Sequence, residues 1–240
     1  MHLFYQPRIP AGDHFLEPDE SRHAVRVLRL NKGSAVRVTD GKGFIYDATI
    51  TEALSTKCLF KIEQTHRKER RPFGCHIAIA PTKNSDRIEW FVEKAIEFGV
   101  ERISFVICEN SERTSIGLER VGRVAVAAMK QSQQAWLPVI DPPLPFAQAI
   151  ALDADQKFIA HAGPEQPSLQ SAVRPGTRCL VMIGPEGDFS PTELKLATES
   201  SFQKVGLGPT RLRTETAGIA AVHIVNLVNA PHFGQSRSNQ

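Results

Sequence analysis

The sequence predicts an α/β protein in two parts: a small β-rich domain at residues 1–70, then a larger domain at 74–240 built on a mainly parallel sheet. Three observations predict it. The first 70 residues hold alternating apolar–polar segments joined by a glycine-rich turn. From residue 74 onward, short apolar runs alternate with helix-length amphipathic segments, the order that lays parallel strands beneath covering helices. Between them lies "HRKERRPF" at 66–73, a charged stretch stopped by Pro72.

"HLFYQ" reads as an opening strand. "PDESRHAVRVLRL" reads as a short helix, with Ala24, Val27 and Leu28 on one face and Arg22, Arg26 and Arg29 around the others. Ala35–Asp40 and Phe44–Ile50 flank Asp40-Gly41-Lys42-Gly43, a hairpin signal, and "CLFKIEQT" supplies a further strand. In the second part, "HIAIA" is a short buried strand. "DRIEWFVEKAIEFGV" spaces Ile88, Phe91, Val92, Ala95 and Ile96 along one helical face, with Asp86 as expected N-cap and Gly99 as stop. "RISFVIC" is apolar enough for burial on both faces. A second helix follows in "LERVGRVAVAAMKQSQQA" through Leu118, Val121, Val124, Ala125, Ala128 and Met129. "KFIAH" and "CLVMI" are strands. "SPTELKLATES" is a helix entered through Ser190 as N-cap, Pro191 at N1 and Glu193 at N3. "KVGLG" is a strand and "TETAGIAAVHIVNLV" the final helix.

Bulk properties exclude several classes. The chain is 41% hydrophobic and 23% charged, an ordinary globular composition. No apolar run approaches the roughly 20 residues of a membrane span. "MHLFYQPRIPAGDHF" lacks the pattern of a secretory leader. Cys58, Cys75, Cys108 and Cys179 are widely spaced, as buried thiols of a reducing compartment are, so a cytoplasmic location is expected. The eight histidines lack ligand spacing, and no metal is expected. Residues 1–71 carry 13 Lys+Arg against 9 Asp+Glu, and residues 72–240 carry 16 against 17. The positive excess therefore lies in the first third, a modest footprint for an anionic polymer.

Neither a phosphate-binding P-loop nor G-x-G-x-x-G nor G-x-S-x-G occurs. What remains is three glycine-bearing loops at predicted strand ends: "HAGPE" (161–165), "GPEGDF" (184–189) and "GLGPTRLR" (206–213). In α/β proteins ligands sit at the carboxyl ends of strands. Loops with bare peptide groups suit a neutral heterocycle such as adenine, and Ile183, Leu207 and Leu212 supply apolar walls.

"IGPEGDFSPTEL" together with "VGLGPTRLRTETAGIA" resembles the ribosomal RNA small-subunit methyltransferase E family of the SPOUT superfamily, the trefoil-knot methyltransferases. The resemblance extends to "RHAVRVLRLNKGSAVRVTDGKG", "EKAIEFGVERI", "NSERT" and "KQSQQAWLP", in order from about residue 2 to 230. It implies a PUA-like, RNA-binding β-barrel followed by a parallel sheet with a deep C-terminal knot. It also implies a homodimer, S-adenosylmethionine as cofactor, and N3-methylation of one decoding-region uridine of 16S ribosomal RNA in the small subunit. The cofactor would then meet His161, Ala162, Gly163, Ile183, Gly184, Pro185, Glu186, Gly187, Leu207, Gly208, Leu212 and Thr216. The chain departs from the family pattern at Asp188, Gln134 and Thr210, with Lys130 and Arg211 as nearby replacements for the missing charges.

Methylating a uracil ring nitrogen requires its proton to leave, so the site needs a base or cations for the developing anion. Arg213 and Glu215 in "RLRTET" are the expected catalytic pair, with Arg211 a further cation. Glu215 also suits dipole capping in the first turn of the last helix. Arg22, His23, Arg26, Arg29 and Arg37 are expected on RNA phosphates, and Arg113 on the substrate side. Two other readings are a non-catalytic ribosome-assembly factor that binds RNA and a nucleotide-sensing α/β protein. S-adenosylmethionine binding separates the first from the enzyme, and absent phosphate motifs count against the second.

Overall fold

A computed structural model describes residues 2–163 and 166–230. The chain divides into two compact units. The first holds residues up to Arg70 together with Val126–Leu137, and the second holds Arg71–Ala125 and the chain from Pro138 onward.

The first unit contains β1 (Leu3–Tyr5), β2 (Phe15–Leu16), α1 (Pro18–Arg22), β3 (Ala35–Thr39), β4 (Phe44–Ala53) and β5 (Cys58–Arg67). They form a five-stranded sheet in the order β1-β3-β4-β5-β2, with β1 parallel to β3 and the other pairs antiparallel. Phe4, Leu16, Val36, Val38, Ile50 and Phe60 fill its core. The short helix differs from expectation. After Arg22 the backbone widens into a π-helical turn over His23–Val27, and Arg29 closes it with φ +54. The widened turn changes which side chains share a face. Ala24 is buried, but Val27 is 67% exposed.

The second unit runs β6 (Gly74–Ile79), α2 (Ser85–Glu97), β7 (Arg102–Ile107), α3 (Leu118–Gln131, which continues into the first unit), β8 (Val139–Ile140), β9 (Leu144–Pro145) and α4 (Phe146–Ala149). It goes on through β10 (Gln156–Ala160), α5 (Leu169–Ala172), β11 (Arg178–Ile183), α6 (Pro191–Glu199), β12 (Gln203–Val205) and α7 (Thr214–Asn229). The sheet order is β12-β10-β11-β6-β7-β8, with β9 also on β7, and every pairing is parallel. Alternation along the strands sends successive side chains to opposite faces. Ala78 and Ala80 join Leu180, Met182, Phe146, Phe189 and Ala197 on one face. On the other, Ile79 and Phe91 of α2 both lie against Gly218 of α7. Helices thus cover both faces, as the continuously apolar strands require.

Two helix starts can be compared with the sequence. α6 has the full capping box: Ser190 Oγ accepts from the Glu193 N–H at 3.2 Å, and Glu193 Oε2 accepts from the Ser190 N–H at 2.9 Å. α2 is capped two residues earlier than expected, by Asn84, whose Oδ1 accepts from the Asp86 N–H at 2.8 Å.

Candidate functional site

β12, β10 and β11 are parallel neighbours, so their carboxyl ends finish along one edge and the loops that follow converge. They bound a cavity of about 380 Å³ within the second unit, within the range of small-molecule sites. The first loop contributes Ala160, His161, Ala162 and Gly163, and its remaining residues, Pro164 and Glu165, lie outside the described residues. The second contributes Ile183, Gly184, Pro185, Glu186 and Asp188; the third contributes Gly206, Leu207, Gly208, Thr210, Arg211, Leu212 and Arg213. Thr214 and Ala217 close the wall from the start of α7.

The middle loop is held from several sides. Thr214 Oγ1 donates to the Gly184 carbonyl at 3.0 Å. Glu186 Oε1 accepts from the Lys83 N–H at 3.1 Å. Asn110 Nδ2 donates to the carbonyls of Gly187 at 3.3 Å and Asp188 at 3.0 Å. Asp188 has φ +63, a left-handed conformation that aspartate tolerates better than most residues. Buried Glu193 adds a further tie, because its Oε1 accepts from the Glu109 N–H at 2.9 Å while Oε2 serves the capping box. One carboxylate therefore joins the start of α6 to the segment after β7. Asn110 and this second duty of Glu193 carry no chemical signal in the sequence; they emerge only from the meeting of distant segments.

Ten of the twelve residues expected to meet the cofactor line the cavity: His161, Ala162, Gly163, Ile183, Gly184, Pro185, Glu186, Leu207, Gly208 and Leu212. Gly187 and Thr216 do not. Gly187 is exposed and lies against Asn110, and Thr216 is exposed on α7. Arg213 and Arg211 are in the lining, and neither has an ion-pair partner among the described residues. Glu215 is not brought to the cavity. Its side chain is 8% exposed, with Oε1 3.8 Å from Arg87 Nε and Oε2 buried without a hydrogen bond among the described residues.

The residues expected on RNA fall in two places. Arg22, His23, Arg26 and Arg29 are exposed along the α1–π segment of the first unit, with Arg22 paired to Asp19 at 3.1 Å. Arg37, on β3, is already engaged by Asp47 at 2.9 Å, and His66 holds the other Asp47 oxygen at 2.7 Å. These two bonds draw the Asp47 carboxyl below its usual range. Arg113 belongs to the second unit and donates to the Lys83 carbonyl at 3.4 Å. Lys130 does not supply a free charge near Gln134, because it forms an ion pair with Glu20 in which both side chains are less than 20% exposed. All four cysteines are buried, and burial pushes their thiols up, Cys108 to about 12, so none is poised as a thiolate. Among the described residues no group of three His, Cys, Asp or Glu side chains is placed to hold a metal ion.

The cavity thus combines apolar walls, bare peptide groups and charges of both signs, the chemistry of a nucleoside site with charged extensions. A family model of an RNA methyltransferase domain matches residues 69–226, and one of an RNA methyltransferase PUA domain matches 16–63. A Synechocystis protein named ribosomal RNA small subunit methyltransferase E is 30% identical over 217 residues, covering 84% of this chain and 68% of that one. The chain belongs to the ribosomal RNA small subunit methyltransferase E family. Within known structures of this kind, a probable rRNA-methyltransferase from Porphyromonas gingivalis has 39% identity and a TM-score of 0.89, covering 95% of this chain and 98% of its own. A family member from Neisseria gonorrhoeae, solved bound to S-adenosylmethionine, has 26% identity and a TM-score of 0.85 over the same shares. The first unit accordingly carries the family's PUA-like domain, and the parallel sheet its methyltransferase domain.

Proposed function

We propose that the protein transfers a methyl group from S-adenosylmethionine to ring nitrogen N3 of a uridine in 16S ribosomal RNA, acting on the assembled or assembling small subunit. The observation that carries this reading is the cavity at the ends of β10, β11 and β12, where Arg211 and Arg213, without an ion-pair partner among the described residues, stand beside glycine loops in a chain of this family.

The lining fits the cofactor. Ile183, Leu207 and Leu212 offer apolar contact to an adenine, and the peptide groups of Gly184 and Gly208 offer its edge hydrogen-bonding partners. Gly208 has φ +143, and a Cβ there would enter open space. Only glycine adopts this backbone without strain, so the third loop depends on it. When bound, S-adenosylmethionine supplies an electrophilic methyl group on a sulfonium centre.

The chain's own task is to hold the uracil and accommodate its lost proton. Neutral N3 has no lone pair free for attack, so negative charge spreads onto the uracil oxygens as the proton leaves. Arg213, with Arg211 beside it, stabilises that charge from the cavity wall, an electrostatic contribution of the kind that dominates many active sites. Arg22, His23, Arg26 and Arg29 hold RNA through phosphates, giving affinity more than sequence choice. The same reading includes the knotted C-terminal thread, a cytoplasmic location and a homodimer. Trp90 of α2 and Leu227 of α7, large apolar side chains left exposed on two helices that pack together, support the dimer.

The test is methyl transfer from labelled S-adenosylmethionine onto small subunits lacking the modification, followed by digestion and nucleoside mapping. The expected product is N3-methyluridine at a single position. Cofactor binding without transfer would instead favour a non-catalytic assembly factor, and label at another atom would overturn the assignment of N3.

A further inference from the structure

One pair of side chains in the cavity is built as a unit that the methylation chemistry does not use. Asp188 Oδ2 lies 3.1 Å from His161 Nδ1, and both residues line the cavity. The other Asp188 oxygen accepts from the Phe189 N–H at 2.8 Å. Its main chain is fixed as well, by Asn110 on the Asp188 carbonyl and by the Asp188 N–H on the Pro185 carbonyl at 3.0 Å. The carboxylate is thus held at both oxygens and at the backbone, although its side chain is 42% exposed.

The consequence for His161 follows from its chemistry. A neutral imidazole has one N–H, and a carboxylate can only accept. The bond to Asp188 therefore places the proton on Nδ1 and leaves Nε2 as a lone-pair acceptor. Nε2 has no hydrogen-bond partner among the described residues, on a ring that is 26% exposed and forms part of the cavity wall. With its imidazole neutral, the couple offers a carboxylate charge and a bare acceptor. Among the described residues the other lining carboxylate, Glu186, is tied to the Lys83 N–H, and the lining cations Arg211 and Arg213 lie on the third loop. The first two loops therefore present the anionic, accepting side of the cavity.

A sulfonium bears charge but no N–H, so it makes no use of an acceptor lone pair. A protonated amine uses both the charge and the lone pair. Resting on the reading of this cavity as the S-adenosylmethionine site, we propose that the Asp188–His161 couple recognises the α-ammonium group of the cofactor's methionine part. On this assignment the couple makes the site specific for nucleosides that bear an amino-acid chain, while the glycine loops serve the nucleoside itself.

The test compares three ligands by calorimetry on the full chain: S-adenosylmethionine, S-adenosylhomocysteine and 5′-methylthioadenosine. The first two carry the ammonium group, and the third keeps the nucleoside without the amino-acid chain. Asp188→Asn keeps a residue tolerant of the left-handed backbone, Asp188→Gly removes the side chain, and His161→Phe keeps a ring without the acceptor. Thermal melts confirm that each variant is folded. Each should weaken both amino-acid-bearing ligands by about 10-fold or more, the scale of a hydrogen bond to a charged group, and by similar factors. Binding of 5′-methylthioadenosine should stay near its parental value. Equal weakening of all three ligands would move the couple to the nucleoside, and unchanged binding in folded variants would leave it without a role; either result overturns the assignment. A parental chain that binds none of the three would sink the cofactor reading itself, an outcome separate from any variant effect.

Discussion

At the residue scale, the cavity separates two side chains that sit close together in "RLRTET". Among the described residues Arg213 lines it without an ion-pair partner, whereas Glu215 turns to Arg87 and is buried with one oxygen unbonded. Arg213→Ala should therefore lower the single-turnover methyl-transfer rate by about 100-fold, comparable to losing one preorganised oxyanion donor, with little change in cofactor affinity. Glu215→Gln should transfer at close to the parental rate across the pH range, since its carboxylate lies outside the cavity lining. Rapid-quench measurement of both variants checks the pair. A large rate loss in Glu215→Gln with intact Arg213 dependence would return the base role to Glu215. The three loops themselves were legible in the sequence because glycine after an apolar run marks close backbone approach. The direction of Glu215 was not, because it is set by Arg87, on another helix 128 positions earlier in the chain. Asn110 was hidden for the same reason, its partners being Gly187 and Asp188.

At the element scale, what could be read from the sequence was whatever has a period. The long strands and α2, α3, α6 and α7 repeat their apolar positions often enough to show a pattern, and they stand close to where the pattern put them. The two-residue strands β2, β8 and β9 and the four-residue helices α4 and α5 are too short to show one. The π turn after Arg22 was invisible because its residues satisfy an ordinary helical spacing equally well. α7 illustrates a constraint that periodicity does reach only in part. Its Gly218 faces the sheet, and a Cβ there would lie 2.5 Å from Phe91 Cε2 and 3.0 Å from Ile79 Cδ1. Both neighbours are fully buried, so neither can yield cheaply. Alanine gains up to about 1 kcal/mol of helix propensity over glycine. Overpacking a closed core costs about 1–3 kcal/mol, and a contact this short against two enclosed side chains falls toward the upper end. Gly218→Ala should therefore destabilise the fold by about 1–2 kcal/mol, seen as a lower urea midpoint with an unchanged slope. A raised midpoint would show that α7 can shift to make room.

At the scale of the whole molecule, the class of fold and the placement of charge were both legible, because each is a sum over many residues. The response to acid includes one contribution that is not such a sum, because it sits in a single network on β6 and β7 of the parallel sheet. His76 of β6 donates from Nε2 to Ser104 Oγ of β7 at 2.7 Å, and the Ser104 hydroxyl donates in turn to Asp141 Oδ2 at 2.5 Å. Arg102 grips the same carboxylate through two bonds of 2.7 and 3.0 Å. Burial, helped by the nearby Arg102 charge and opposed by Asp141, pushes His76 down to about 4 from the ordinary 6.5. The folded protein thus keeps His76 neutral where the unfolded chain would protonate it. Above pH 6.5 both states are neutral and His76 adds no pH dependence. Below it the unfolded state binds the extra proton, so stability falls as the pH drops from about 6.5 toward 4 and this contribution then levels off. Between pH 7.5 and 5 the loss from this one group is about 2 kcal/mol, at 1.36 kcal/mol for each pKa unit. His76→Gln keeps an N–H donor toward Ser104 and removes the titration. Urea unfolding at pH 7.5 and pH 5 should therefore show a stability difference about 2 kcal/mol smaller in the variant than in the parent. Equal differences in the two proteins would mean that His76 protonates in place and that the acid response lies elsewhere.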